Sequence, residues 1–217
     1  ERPVSRITLL TDFRTQDGFV GAMKGVLASI APAAVVEDIG HGVPRGDVRK
    51  ASRVVARYWN LYPPGTVHLV VVDPGVGTVR RGLAVEADGR FLVGPDNGVF
   101  SMVYSEASDW NCVSLHSHLR LRDLPSHTFH GRDWFSPAAA LLALGTSLQE
   151  MGLEVPDPVR CTEEIWRSED DWGIGTVVEV DAFGNLATNV PPAAAAEAGG
   201  LWVGGRKLAF VRTFGDV

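Results

Sequence analysis

The run His68-Leu-Val-Val-Val-Asp73-Pro-Gly-Val-Gly-Thr-Val-Arg80-Arg81 sets a carboxylate and a guanidinium at opposite ends of one glycine-containing turn. An apolar, β-branched stretch stops at Asp73. Pro74, Gly75 and Gly77 then force the chain round, so that Arg80 can fold back onto the acid. A neighbouring guanidinium favours the charged form of a carboxylate. The same arrangement would also serve as a structural salt bridge pinning the turn, and Arg81 reads as a spare, solvated charge. Thr128-Phe-His130-Gly-Arg132-Asp133 supplies an imidazole ahead of a helix that opens with Ser136-Pro137. Gly131 would let a ligand approach the backbone, while Arg132 and Asp133 are expected to pair with each other. A lone histidine is usually structural, but one beside Gly, Arg and Asp has the neighbours of a general base.

Further polar residues suit a bound ligand. Asp12 ends the apolar run Ile7-Thr-Leu-Leu-Thr, and its two acceptor oxygens could take both hydroxyls of a ribose. Asp17 has two readings, a helix N-cap or a second carboxylate for the same ligand. In Asp181-Ala-Phe-Gly-Asn185 the amide of Asn185 could read a purine edge, although a hairpin turn needs no function at all. The histidine pairs His116-Ser-His118 and His127-Thr-Phe-His130 have possible metal-ligand spacing. No HExxH pair accompanies them, so no metal is expected. A Walker A motif is absent, and the Gly21–Val26 stretch is not a dinucleotide fingerprint.

The elements that must position these groups are legible as acid-terminated strands. Ile7–Asp12, Ala34–Asp38, Val67–Asp73, Phe91–Asp96 and Val177–Asp181 each end in a carboxylate, which suggests a shared rim beyond the carboxyl ends of the strands. A helix is expected after Asp17, with Phe19, Met23, Val26, Leu27 and Ile30 on one face. Its glycines are expected to allow close packing against a sheet or ligand. Asp47 should cap a second helix, with Val48, Val54, Val55, Tyr58 and Trp59 inward. Val67–Val72 reads as a central strand covered on both faces. Leu83–Ala87 and Arg90–Val93 form a hairpin across Asp88-Gly89, and Phe135–Leu144 is helical. The expected fold is α/β, a larger N-terminal domain with a mostly parallel sheet flanked by helices. Residues 1–160 form this domain and 161–173 a Pro- and acid-containing linker. Residues 174–217 form a smaller, β-barrel-like domain with strands at Thr176–Asp181, Leu186–Val190, Trp202–Val203 and Leu208–Phe214. That second domain reads as incomplete, because β structure is still being laid down at Gly215-Asp216-Val217.

The 217 residues are 45% hydrophobic and 21% charged, as in a soluble globular protein. A net charge of −6 argues against nucleic acid or an anionic membrane as partner and suits a cationic ligand. No apolar run approaches the roughly 20 residues that span a bilayer, and no signal peptide is recognised at the start. Cys112 and Cys161 lack metal-ligand spacing and read as buried thiols in a reducing cytoplasm.

Taken together, Thr11-Asp-Phe13 with Asp17, Val20-Gly-Ala-Met-Lys-Gly-Val26, Val72-Asp-Pro-Gly-Val-Gly-Thr78, Gly94-Pro-Asp-Asn-Gly98 and Thr128-Phe-His-Gly-Arg-Asp133 resemble the S-adenosylmethionine hydroxide adenosyltransferases. These are hydrolase relatives of the fluorinase and chlorinase enzymes, and the resemblance covers nearly the whole chain. It implies a homotrimer whose ligand lies between the first domain of one subunit and the second domain of its neighbour. It implies water attack at ribose C5′ of S-adenosylmethionine, giving adenosine and methionine with no cofactor. Asp73, Arg80 and His130 match the water-activating residues and Asp12 the ribose-binding one. Asp181 matches the methionine-binding position and Asn185 the adenine-binding one, with Phe183 or Asn185 of one subunit facing Asp12 of another. Arg14 departs from the family pattern by replacing a small Gly, Gly46 stands where the family places an aromatic wall, and the family's Ser-rich closing strand is not found before Val217. The alternatives are a non-catalytic nucleoside or S-adenosylmethionine sensor and a metal-dependent hydrolase.

Overall fold

The strongest apolar signal, Val67–Val71, becomes an interior strand of a seven-stranded sheet, third from one edge. The structure is a computed structural model that describes residues 5–120, 126–162, 166–169, 172–208 and 211. It divides into two units, Glu1–Cys161 and Thr162–Val217.

The first unit runs β1 (Arg6–Thr11), α1 (Phe19–Ile30), β2 (Val35–Gly40), α2 (Val48–Ala56), β3 (Val67–Val71), β4 (Gly82–Ala87), β5 (Arg90–Pro95) and α3 (Ser101–Glu106). It continues through β6 (Trp110–Leu115), α4 (Ser136–Ala143), α5 (Leu148–Met151) and β7 (Gly152–Glu154). The strand order is β2-β1-β3-β5-β4-β6-β7. Strands β2, β1, β3 and β5 pair in parallel, and β4, β6 and β7 add antiparallel neighbours. Only β4 and β7 therefore run against the common direction, and the sheet is mostly parallel as expected. The hairpin β4–β5 turns at Asp88 (φ 44°) and Gly89 (φ 75°), the left-handed pair that a two-residue turn between twisted strands requires.

Alternation along the strands builds two cores. Ile7, Leu9, Val67, Leu69 and Val71 pack with Val20, Met23 and Leu27 of α1 and with Ala138, Ala139 and Leu142 of α4. On the other face Leu10, Val70, Val72, Leu83, Val85 and Leu92 pack with Ala51 and Val55 of α2 and with Val103 and Tyr104 of α3. Each Val or Leu fully buried in this way contributes roughly 1.5–3 kcal/mol. The sheet is thus the middle of three layers, which holds its carboxyl edge rigid.

Local details depart from expectation. Gly18 (φ 74°), not Asp17, caps α1, and no side chain closes that end. Gly21 and Gly25 face open space, so they do not allow close packing. Phe19 lies 45% exposed because its ring leaves the core to join Phe13 and Phe129, with centroids 5.8 and 5.2 Å away. Asp47 does cap α2, accepting the Lys50 N–H at 2.8 Å. Among the described residues no helix is long and apolar enough to cross a membrane.

The second unit holds hairpins β8 (Arg167–Glu169) with β9 (Trp172–Ile174), β10 (Val177–Val180) with β11 (Leu186–Thr188), and β12 (Leu201–Val203) with β13 (Arg206–Leu208). Helix α6 (Pro192–Glu197) lies between the last two. The segment read as a linker, 161–173, therefore carries strand β8 and the start of β9. Gly173 makes this possible, since a Cβ there would fall 2.1 Å from the Trp166 ring. Most of the strand expected at Leu208–Phe214 lies outside the described residues.

Candidate active site

The chain leaves β1 toward β2 on one side and returns with β3 on the other, so the strand order reverses between β1 and β3. At such a switch point the loops beyond the strands diverge and leave a crevice for ligands. Asp12 follows the last residue of β1, and Asp73 lies just beyond the end of β3.

The turn after Asp73 is closed from within by Val76 N–H to the Asp73 carbonyl (3.3 Å) and Thr78 N–H to the Gly75 carbonyl (3.2 Å). Gly77 has φ 82°, and a Cβ on it would lie 2.7 Å from the His127 carbonyl oxygen. Only glycine fits there, so the turn is seated on the loop that carries His130. Arg80 folds back, donating from Nε to Asp73 Oδ1 at 2.9 Å and from Nη2 to Asp73 Oδ2. The side chains of Arg80 and Asp73 are 9% and 5% exposed, so the pair is largely shielded from solvent. The Arg80 guanidinium also lies 5.1 Å from the Phe135 ring centroid.

Arg80 Nη2 reaches His130 Nδ1 at 2.9 Å. A guanidinium can only donate, so Nδ1 accepts and the neutral ring carries its proton on Nε2. Burial is the main reason that the imidazole pKa lies below its ordinary value, and the positive charges of Arg80 and Arg120 add to it. Trp134 and Phe135 meet the ring edge-on, at 5.5 and 6.4 Å. His130 begins a π-helical turn, Gly131–Phe135, that runs into α4, and Ser136 Oγ donates to the Gly131 carbonyl at 2.8 Å. Such turns recur at functional sites. Gly131 serves packing here, not ligand approach: its missing Cβ would sit 3.2 Å from Met23 Sδ and 3.3 Å from Val71 Cγ1. Arg132 and Asp133 pair as expected, at 2.6 and 2.9 Å.

Asp12 Oδ2 accepts the Gly46 N–H at 2.8 Å, and Oδ1 accepts no hydrogen bond among the described residues. Asp17 is exposed on the loop ahead of α1. Asp96 is occupied structurally: Arg81 Nε donates to Oδ2 at 2.6 Å and Val159 N–H to Oδ1 at 2.8 Å. Arg81 also holds Asp157, at 3.2 Å to its carboxylate and 3.0 Å to its carbonyl. It is therefore no spare charge but a strap that fixes the 157–159 segment to the end of β5. His116 and His118 stack on each other, with centroids 5.0 Å apart. Among the described residues no three His, Cys, Asp or Glu side chains gather as a metal site.

Residues 7–152 match the model of the SAM hydroxide adenosyltransferase N-terminal domain. The chain belongs to the SAM hydroxide adenosyltransferase family. A protein of Salinispora tropica named (R)-S-adenosyl-L-methionine hydrolase is 44% identical over 190 residues, covering 85% of this chain and 71% of its own. One of the same name from Thermus thermophilus is 40% identical over 220 residues, covering 97% and 84%. A crystal structure of an uncharacterized conserved protein from Thermotoga maritima superimposes with a TM-score of 0.87 at 36% identity, covering 97% and 84%.

Two departures of this chain from the family pattern acquire a physical reading. Gly46 adopts φ 71°, and its N–H, not an aromatic ring, steadies Asp12. Arg14 adopts φ 56°, a conformation that costs a residue with a side chain about 1–2 kcal/mol and costs glycine little. Its N–H is held by the His41 carbonyl at 2.8 Å. In the second unit, the Asp181 carboxylate accepts from Phe183 N–H, Asn185 N–H and Asn185 Nδ2, each at 2.8 Å. These bonds hold its pKa below the ordinary carboxylate value, the Asn185 side chain contributing most. They also leave Phe183 91% exposed at the tip. Sequence reasoning missed the Gly46 contact and the Phe13–Phe19–Phe129 cluster. Gly46 follows a Pro-Arg pair in a loop and carries no side-chain signal, whereas the aromatics lie too far apart in sequence to be grouped.

Proposed function

We propose that the protein hydrolyses S-adenosyl-L-methionine to adenosine and L-methionine by attack of water on ribose C5′. The observation that carries this reading is Arg80, which bridges Asp73 and a neutral His130 at the switch point of the sheet. Two relatives named for this hydrolysis, at 44% and 40% identity, support it. Asp12 would hold the ribose hydroxyls through the oxygen that Gly46 leaves open. Asp17, Asp181, Phe183 and Asn185 would contact the remainder of the substrate.

The chemistry asks little of the protein at the leaving group. A sulfonium departs as a neutral thioether when the C5′–S bond breaks and its electron pair returns to sulfur, so no acid is required. What must be supplied is a water oriented in line with that bond and relieved of a proton as the O–C5′ bond forms. A water entering between Arg80 and His130 would meet a guanidinium that favours hydroxide character. In entering it would displace the Arg80 Nη2 bond to His130 Nδ1, freeing the lone pair that takes the proton. General-base help of this kind contributes about 10²–10⁴-fold. An anionic Asp73 fits water better than a halide, which needs neutral or cationic donors. This residue set therefore supports a hydrolase over a halogenase, without a metal or cofactor.

The assembly proposed is a homotrimer, in which the second unit of one subunit completes the site of its neighbour. Exposed Val180, Phe183 and Leu186 on the β10–β11 hairpin support an association through that surface. We place the protein in a reducing, cytoplasmic compartment, where Cys112 and Cys161 would stay as thiols. The deciding experiment is incubation with S-adenosylmethionine in ¹⁸O-water, with and without chelator and excess halide, followed by identification of the nucleoside. Labelled adenosine formed at an unchanged rate under chelation is expected. Binding without product would make the protein a sensor, and loss of turnover with chelator would make it a metal-dependent hydrolase.

A further inference from the structure

Arg14 stands on the opposite side of Asp12 from the Asp73–Arg80–His130 group. The sheet order β2-β1-β3 sets Asp12 at the end of the middle strand and Asp73 at the end of β3. On the β2 side a depression is lined by Arg14, Thr15, Gln16, His41 and Gly42. The Arg14 backbone is held at φ 56° by the bond to the His41 carbonyl, which directs this residue into the lip of that depression. Its side chain is exposed and makes no ion pair among the described residues. His41, another lining residue, is buried, bonded to Thr11 Oγ1 at 2.9 Å through Nδ1, with Nε2 lying 3.0 Å from Asp38 Oδ1. Arg14 is thus the cationic group available in the depression.

An in-line displacement gives that position a use. If water attacks C5′ from the β3 side while Asp12 holds the ribose, the sulfur must leave away from the water, toward β2. The methionyl arm, with its α-carboxylate, then extends over Arg14. We infer that Arg14 is a specificity-determining residue that reads the α-carboxylate of the substrate's amino-acid arm. This rests on the hydrolase reading above. A planar guanidinium matches a carboxylate with two parallel hydrogen bonds. That pairing accounts for an arginine kept in a conformation which glycine would adopt without strain.

The test compares S-adenosylmethionine with its decarboxylated analogue, which keeps the sulfonium, ribose and adenine but lacks the carboxylate. The wild type should prefer the carboxylated substrate by about 10–100-fold in kcat/KM, the worth of a charge-assisted hydrogen bond. Arg14→Gly removes the side chain at a backbone position that suits glycine, so the variant should fold. Arg14→Gln removes the charge alone. Both should lose most of the preference by raising KM for S-adenosylmethionine while kcat is kept, and neither should change the analogue. An unchanged preference in both variants would overturn the inference. Calorimetric binding of the two ligands supplies an arm independent of turnover. A wild type that binds both but forms no adenosine would sink the hydrolase reading. The ratio of the two affinities in wild type and Arg14→Gln would still decide the role of Arg14.

Discussion

Arg80 is a residue whose two roles cannot be separated by removing it. It neutralises a buried carboxylate and it occupies the lone pair of His130. Arg80→Ala should therefore abolish turnover and also destabilise the fold, because Asp73 would remain largely buried without its partner. His130→Ala is the cleaner substitution. It should lower kcat about 10²–10⁴-fold with little change in KM, since in the proposed mechanism the imidazole acts on the water and not on the bound nucleoside. Asp12→Ala should instead raise KM by the equivalent of about 1.5–3 kcal/mol, because the ribose hydroxyls it is proposed to bind are held before and after the reaction. The pH profile has a definite sign. His130 must be neutral to accept a proton, and its pKa is depressed chiefly by burial and then by Arg80 and Arg120. Activity should persist below pH 6.5, where an ordinary imidazole would already be protonated, and fall only at more acidic pH. A kcat that declines with a midpoint at or above 6.5 would contradict this.

At the scale of elements, the turn 74–79 and the loop before α4 behave as one piece because Gly77 lets the His127 carbonyl seat against it. Gly77→Ala should cost at least 1–2 kcal/mol from its φ of 82° alone. It should also lower kcat by moving Asp73 away from His130, which denaturation and initial-rate measurements would resolve. A second polar device lies inside the sheet. His68 accepts from Thr8 Oγ1 at 2.7 Å and donates from Nε2 to the Trp59 carbonyl at 3.1 Å, tying β3 to β1 and to the turn after α2. Burial pushes its pKa down to about 4. Above about pH 6.5 folded and unfolded chains both hold it neutral. As pH falls from 6.5 toward 4 the unfolded chain takes the proton first, so about 3 kcal/mol of stability should be lost. Urea midpoints at pH 7 and pH 4.5 should differ accordingly, and His68→Gln should flatten the difference. These elements also show what the sequence could reveal. Strands β1, β3, β4 and β5 were legible because apolar β-branched runs ended at acids or at Asp88-Gly89. The Asp73–Arg80 pair was legible because one short turn joins it. Hidden from sequence were contacts made through backbone atoms of distant loops, such as Gly46 on Asp12. The cap of α1 was misread because Gly18 enters the helix in a left-handed conformation that leaves Asp17 outside. Arg81 was misread because its partners Asp96 and Asp157 lie 15 and 76 residues away, beyond the turn it belongs to.

Over the whole molecule, the two units differ in how much apolar surface they bury. The first encloses two cores on either face of a seven-stranded sheet. The second is built of two-stranded hairpins, which are marginal alone in water. On it Phe183 is 91% exposed, Trp202 72% and Val180 57%, more apolar exposure than a small free-standing β unit sustains. The proposed association through this surface would relieve that cost. If it also completes the site, activity and assembly must be linked by mass action. Specific activity should then be constant while the trimer persists and fall on dilution below its dissociation constant. Light scattering should show the mass dropping from about three chains to one over the same range. Phe183→Ser should shift both curves to higher protein concentration together, because the tip ring is lost while the Asp181-centred bonds that shape the turn remain. A monomer with undiminished turnover at every concentration would mean that each chain carries a complete site. The exposed hairpin would then have to be explained by something other than catalysis.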